Sequence, residues 1–206
     1  MKNLKIYALV LALALSAVSA FSCADKTESK SEDSIVILDS DASVPEKPNK
    51  YSADSKKTNI AVGQETEVND TVFKLNNVVK VGSAEGDGND YIYINVTIQN
   101  KTDKEYKISS LNNFFVALPD QTEILSNIRP KLYAINNYPK CVDDYITIPA
   151  NGEFTGYLAG GFTVPSETDS LTVGFFPTLD NDKYRENVIL APVNAENISD
   201  DDSVLR

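Results

Sequence analysis

Glu85, Asp87, Asn89 and Asp90 place four oxygen-bearing side chains within one short stretch, the kind of donor set that suits a hard cation such as calcium. The spacing departs from the helix-loop-helix calcium pattern. Counted from Glu85, the sixth position is Asp90 where glycine is needed, and the twelfth is Val96 where a bidentate glutamate is needed. A polar hairpin turn is the plainer use of the same residues, so no metal is assigned and the four stand as a calcium candidate. Other chemistry is narrower still. The chain has no histidine, which removes Ser–His and Cys–His nucleophile pairs and the commonest zinc ligand. Cys141 is the thiol of the folded region. Lys140 beside it would favour a thiolate, but Asp143 and Asp144 oppose one, and a packed, inert cysteine is expected. Carboxylates are abundant, yet nothing in the sequence sets two of them at the fixed separation glycoside chemistry requires. No phosphate-cradling glycine loop is present. The expectation is therefore a protein that is not an enzyme and needs no cofactor.

Cys23 invites a different chemistry. Lys2 and Lys5 precede an uncharged apolar run from Ile6 to Val18, too short to span a bilayer comfortably, and small residues follow it. That is the pattern of a signal peptide, with two places to cut. Val18-Ser19-Ala20 suits ordinary cleavage after Ala20, which would leave Phe21 as the new terminus. Ala20-Phe21-Ser22-Cys23 resembles a lipobox, in which Cys23 receives a diacylglycerol, although Phe21 is bulky for that motif and Ala20 stands where leucine is commonest. The chain has two cysteines, Cys23 and Cys141; bridging them would tie a polar tail to the domain and hold no small core together. Lipidation of Cys23 is the reading carried forward, with the membrane as partner through that anchor.

Tyrosines supply the remaining candidates. Tyr91 and Tyr93 share one face of an alternating segment, and Tyr133, Tyr138 and Tyr145 crowd a later one. Each offers flat apolar area with a polar tip, so the five form a candidate binding surface, with packing under a covering loop as the alternative. The formal net charge of −11 makes nucleic acid a poor partner, because phosphate contacts need clustered lysine and arginine.

The elements that would position these residues are strands. In "YIYINVTIQN", Ile92, Ile94, Val96 and Ile98 alternate with Tyr91, Tyr93, Asn95, Thr97 and Gln99, a half-buried strand pattern. "TVFKLNNVVKV" sets Phe73, Leu75, Val79 and Val81 on one face in the same way. "SLTVGFF" groups Leu171, Val173 and Phe175, and "EFTGYLAG" pairs Phe154 with Leu158. Turn signals fall at residues 85–90, at Pro119-Asp120-Gln121, at Ala150-Asn151-Gly152 and at Pro165-Ser166. Helical spacing is absent, apart from a short turn near Thr122 to Ile128. The pattern predicts an all-β protein, an antiparallel immunoglobulin-like β-sandwich preceded by a signal peptide and a disordered tether. The boundaries read as 1–22 for the signal peptide and 23–57 for a lipidated flexible tether. The sandwich takes 58–193, and 194–206 is an acidic disordered tail. Within the tether, Ile35-Val36-Ile37-Leu38 is strand-like and could add to a sheet edge.

Three blocks carry a family resemblance: "AVGQETEVNDTVFKLNNVVKV" (61–81), "YIYINVTIQNKTDKEYKISSLNNFFVALPDQTE" (91–123) and "IPANGEFTGYLAGGFTVPSETDSLTVGFFP" (148–177). They include an opening at Gly63, a strand closing in Ile98 to Glu105, and a pattern on Gly152, Glu153, Thr155, Gly156, Tyr157, Leu158, Phe162, Val164 and Pro165. Together they resemble the immunoglobulin-like domain of unknown function that recurs in surface lipoproteins of Gram-positive bacteria, with a fold similar to the secreted mycobacterial immunoprotective antigen. The segment from Ser126 to Tyr145, "SNIRPKLYAINNYPKCVDDY", is individual to this chain. That family has no established catalytic or binding residues to carry over. The resemblance implies an extracytoplasmic, often lipidated, β-sandwich module. Taken with Cys23 and the tether, the expectation is a lipid-anchored protein at the cell membrane whose sandwich binds an envelope component, a host molecule or another protein. The alternative is a freely secreted effector or inhibitor released after Ala20. Binding would be sought first on the segment from Ser126 to Tyr145, since function tends to sit on long connections held by a rigid scaffold.

Overall fold

Alternating apolar residues demand a partner layer, and the chain supplies one by stacking two sheets. The computed structural model describes residues 50–83, 85–178 and 185–206. These belong to the second of two units, residues 45–206. The first, residues 1–44, lies outside the described residues, as do the leader, Cys23 and Ile35–Leu38. In chain order the strands are β1 (Lys56–Asn59), β2 (Thr66–Val68), β3 (Thr71–Gly82), β4 (Asn89–Asn100), β5 (Tyr106–Ser109), β6 (Phe114–Ala117) and β7 (Glu123–Leu125). The helix α1 (Ile128–Asn137) follows. Then come β8 (Cys141–Val142), β9 (Tyr145–Ile148), β10 (Glu153–Leu158), β11 (Phe162–Pro165), β12 (Leu171–Phe175), β13 (Asn187–Val193) and β14 (Ile198–Ser199).

One sheet runs β1-β13-β12-β6-β7. The other runs β14-β3-β4-β10-β8, with β2 on β3 and β11 on β4, while β5 and β9 form a separate pair. The central ladders are antiparallel. Three short pairings, β1 with β13, β14 with β3 and β8 with β10, are parallel. This is a β-sandwich. Its core holds Ile92, Ile94, Val96 and Ile98 from one sheet against Val116, Val173, Phe175 and Ile189 from the other. Phe175 stacks between Phe73 and Phe114 at 4.7 and 4.8 Å. The turns form where the sequence signals them. Backbone bonds close 118–121, 149–152 and 165–168, and Gln121 and Asn151 take the positive φ that such corners require.

Four expectations change. First, β3 keeps Phe73 and Leu75 in the core, but its register shifts between Leu75 and Asn77. This bulge turns Val78 inward and sends Val79 and Val81 to the opposite face, because one extra residue reverses the alternation. Second, the segment after β7 is a three-turn helix and not a strand connection. Third, the sheet domain begins before residue 58. Ser52 is buried, and its N–H and hydroxyl both donate to the Glu123 carboxylate. Fourth, residues 194–206 are not a loose tail. Ile198 and Ser199 pair with β3, two 3-10 turns follow, and Leu205 is fully buried. Apolar contact at Ile198, Val204 and Leu205 outweighs the acidic composition around them. Among the described residues no helix is long and apolar enough to cross a membrane.

Candidate functional site

The segment from Ser126 to Tyr145 builds α1 and the short β8. Asn127 starts α1: its side-chain oxygen accepts from the Arg129 N–H at 3.1 Å, and its amide donates to the Thr163 hydroxyl at 3.1 Å. The helix then lies on the outer face of β4. Close approach depends on Gly161, where an added Cβ would stand 2.8 Å from the Ile92 carbonyl oxygen and 3.0 Å from Pro130. At the contact the Tyr93 hydroxyl donates to the Pro130 carbonyl at 2.8 Å.

Under the helix the tyrosines meet. Tyr91 packs on Tyr133 at 5.4 Å, Tyr93 on Tyr138 at 5.7 Å, and Tyr133 on Tyr138 at 5.8 Å. The Tyr138 hydroxyl donates to Asp202, which also holds Arg206 at 2.7 Å, so the C-terminal turn seals the cluster. Burial raises the phenol pKa of Tyr93 and of Tyr138, the latter helped by Asp202, and it lifts Tyr91 as well. Of the five candidate binding tyrosines, then, Tyr91, Tyr93 and Tyr138 are buried and Tyr133 is half-buried. They form a second small core. Tyr145, on β9, is 66% exposed. Tyr91 and Tyr93 do share one face of β4, turned away from the main core, and the helix covers it.

The opposite face of α1 was missed by sequence reasoning. Ile128, Leu132 and Ile135 are 55%, 52% and 46% exposed, at positions one and two turns apart, and so make an aliphatic stripe turned to solvent. Val142 and Tyr145 are the other large apolar residues left exposed among the described residues. Ion pairs border the helix, Arg129 with Glu85 at 3.0 Å and Lys131 with Asp143 at 2.9 Å.

The calcium candidate does not gather. Glu85 is held by Arg129, Asp87 accepts from the Ser83 hydroxyl and the Asn89 N–H, and Asp90 accepts from the Ser166 hydroxyl. The bonds to Asn89 and Ser83 lower the Asp87 pKa. Among the described residues no three acid, cysteine or histidine groups converge as a metal site would need. Cys141 is half-buried beside the tyrosines, and desolvation pushes its thiol up to about 11, away from the range of a nucleophile. An open, polar hollow of about 480 Å³ is lined by Lys80, Val81, Gly82, Asp90, Asp200 and Asp202. Asp90 and Asp202 are already bonded within the fold, and Lys80 donates to the carbonyls of Ser166 and Thr168.

A family model described as a domain of unknown function, DUF4352, matches residues 60–188. No curated protein matches the chain by sequence. Among solved structures, the yjhA protein of Bacillus subtilis aligns at 15% identity and a TM-score of 0.50, covering 68% of this chain and 99% of its own. The ycdA protein of the same species, provisionally described as a lipoprotein, aligns at 15% identity and a TM-score of 0.48. That alignment covers 64% of this chain and 38% of ycdA, so this chain spans well under half the length of that neighbour. The secreted protein MPT63 of Mycobacterium tuberculosis aligns at 11% identity and a TM-score of 0.45, covering 68% and 98%. At 15% identity the likeness to yjhA is one of fold.

Proposed function

The chain belongs to the DUF4352 family of domains of unknown function, and on that premise we propose that it is an extracytoplasmic, lipid-anchored, non-catalytic binding module that recognises its partner through the outward face of α1. The observation that carries the binding role is the stripe of Ile128, Leu132 and Ile135. Large aliphatics half-exposed at successive turns of one helix are costly to leave in water and are typical of a surface that meets another apolar surface. The sandwich holds that helix rigidly through Gly161, Asn127 and the tyrosine cluster, so the surface is preformed. The partner is an apolar surface on an envelope, host or other protein.

Anchoring rests on the sequence alone: the basic start, the apolar run, and Cys23 placed directly after it and ahead of a polar stretch. A diacyl anchor meets the need for two chains, since one acyl chain gives only marginal binding. Two measurements test the two halves separately. Labelled palmitate should enter the wild-type chain and be lost from Cys23→Ala, which should also be shed into the medium; an unlabelled wild type that is already soluble overturns the anchor. Cross-linking of the full chain in its envelope should yield a partner that the Ile128→Asp, Leu132→Asp double variant fails to capture, and equal capture by both overturns the α1 surface. Phe21 favours a second reading, release after Ala20 as a secreted protein, and N-terminal sequencing that finds Phe21 first would establish it.

A further inference from the structure

The outer face of the β1-β13-β12-β6-β7 sheet is not built like a face meant for water. When one side of an antiparallel sheet packs on a core, the outward residues are ordinarily polar. Here Phe115 and Ala117 of β6 and Val188, Leu190 and Pro192 of β13 point away from the core. Part of this face is covered by the chain itself. Tyr51 and Phe176 pack on Phe115 and Val188, and the Phe115 ring lies across β12 at Gly174, where a Cβ would stand 2.1 Å from it. Among the described residues the rest has no such cover. Half-buried Ala117, Leu118 and Leu190 floor a groove of about 300 Å³, the lower end of the size range of small-molecule sites. A smaller hollow of about 190 Å³ continues it past Thr172 to Pro192 and shares Ala117, Leu118 and Pro119 with it.

The rim carries the selection. Lys50 and Lys57 border the groove at exposed positions, while the one acid in its lining, Glu123, is buried with both oxygens accepting from Ser52; the lining keeps one net positive charge, and the charges at the exposed rim are both ammonium. Lys50 donates to the amide oxygen of Gln121 at 2.6 Å, a neutral acceptor that leaves the ammonium its full charge. On a chain of net charge −11, two ammonium groups over an apolar floor favour an anionic ligand. The floor also discriminates between kinds of ligand. Its backbone N–H and C=O groups are used in the β13-β12-β6 ladders, so an extended peptide laid there finds no backbone partners, whereas a hydrocarbon chain needs none.

We propose that this groove binds a single-chain amphipath with a carboxylate head, a free long-chain fatty acid, with its hydrocarbon over Leu190, Thr172 and Ala117 and its carboxylate between Lys57 and Lys50. The site is on the sheet opposite the one that carries α1, and it is independent of the partner surface on that helix. Calorimetric titration of the full chain carrying Cys23→Ala, so that no acyl group is attached, tests it with dodecanoate below its micelle concentration. One equivalent binds. Dodecyltrimethylammonium, with the same chain and the opposite charge, binds more weakly. Lys50→Glu with Lys57→Glu, both at exposed positions, weakens dodecanoate by roughly tenfold or more with an unchanged thermal midpoint. Leu132→Asp on α1 leaves the titration as it was. The proposal is overturned by no dodecanoate binding, by equal affinity for the two amphipaths, or by an unchanged affinity in the double lysine variant. It is equally overturned by loss of binding in Leu132→Asp, or by a glutamate hexapeptide that binds where dodecanoate does not.

Discussion

Asn100 shows how much one side chain can organise. It is almost fully buried where β4 ends, and its amide donates to the carbonyls of Lys104, Ile148 and Pro149 while its oxygen accepts from the N–H and hydroxyl of Thr102. An asparagine suits the end of a buried strand because its amide can both donate to and accept from the backbone groups freed there. Asn100→Ala orphans several of them at once, so urea unfolding should show a loss of about 2–4 kcal/mol. Asn100→Asp should cost more, because a carboxylate would face carbonyls it cannot donate to. Cys141 makes the opposite point. Its lysine neighbour suggests activation and its burial forbids it: the thiol is held near 11 by desolvation. At about pH 8 a thiol reagent should therefore label the unfolded chain roughly a hundredfold faster than the native one, in proportion to the thiolate each contains. Comparable rates would mean that the site opens readily.

At the scale of elements, α1 separates stability from recognition. Leu132→Ser on the outward face should leave the unfolding midpoint nearly unchanged, within about 0.5 kcal/mol, because the side chain is already half in water. Gly161→Ala on the other side should cost about 1–3 kcal/mol, since the new methyl meets the Ile92 carbonyl and Pro130 and must push the helix off the sheet. Leu205→Ala should cost about 2–4 kcal/mol and disturb the signals of Tyr138 beside it. These elements also mark where the sequence was legible. The strands and turns could be read because alternation and turn residues are local properties. The helix could not, because it is apolar on two faces. Pro130, Tyr133, Ala134 and Tyr138 face the sheet while Ile128, Leu132 and Ile135 face solvent, and the overlap erases the single-stripe period that betrays an ordinary surface helix. The C-terminal segment was illegible for a related reason: three apolar contacts in an acidic run acquire meaning only once β3 and Tyr138 are in place to receive them. The reversal of β3 beyond Leu75 is a tertiary choice of register that the apolar pattern alone leaves open.

Taken as a whole, the molecule buries weak acids in their neutral forms, and that fixes how its stability must respond to alkali. Tyr93, Tyr106 and Tyr138 all have raised pKa values, with desolvation as the main cause; Tyr106 is pushed up to about 12 and Cys141 to about 11. Their reference values are 10.0 for tyrosine and 9.0 for cysteine. Because the folded state holds each proton more tightly, the stabilisation is complete below about pH 9 and is lost as pH rises through the folded values. Between about pH 10 and 12 the unfolded chain has released the Tyr106 proton while the native one retains it, so this group alone tilts stability downward by up to about 1.4 kcal/mol per pH unit. General repulsion on a chain of net charge −11 pulls the same way once lysines lose their protons, so a falling urea midpoint is not by itself diagnostic. Tyr106→Phe separates the two. It removes the hydroxyl that donates to the Pro177 carbonyl, so it should be less stable than wild type at neutral pH. Its stability should nevertheless fall less steeply across the alkaline range, and the two curves should converge near pH 12. Parallel curves would show that charge repulsion, and not the buried phenols, sets the alkaline limit of the fold.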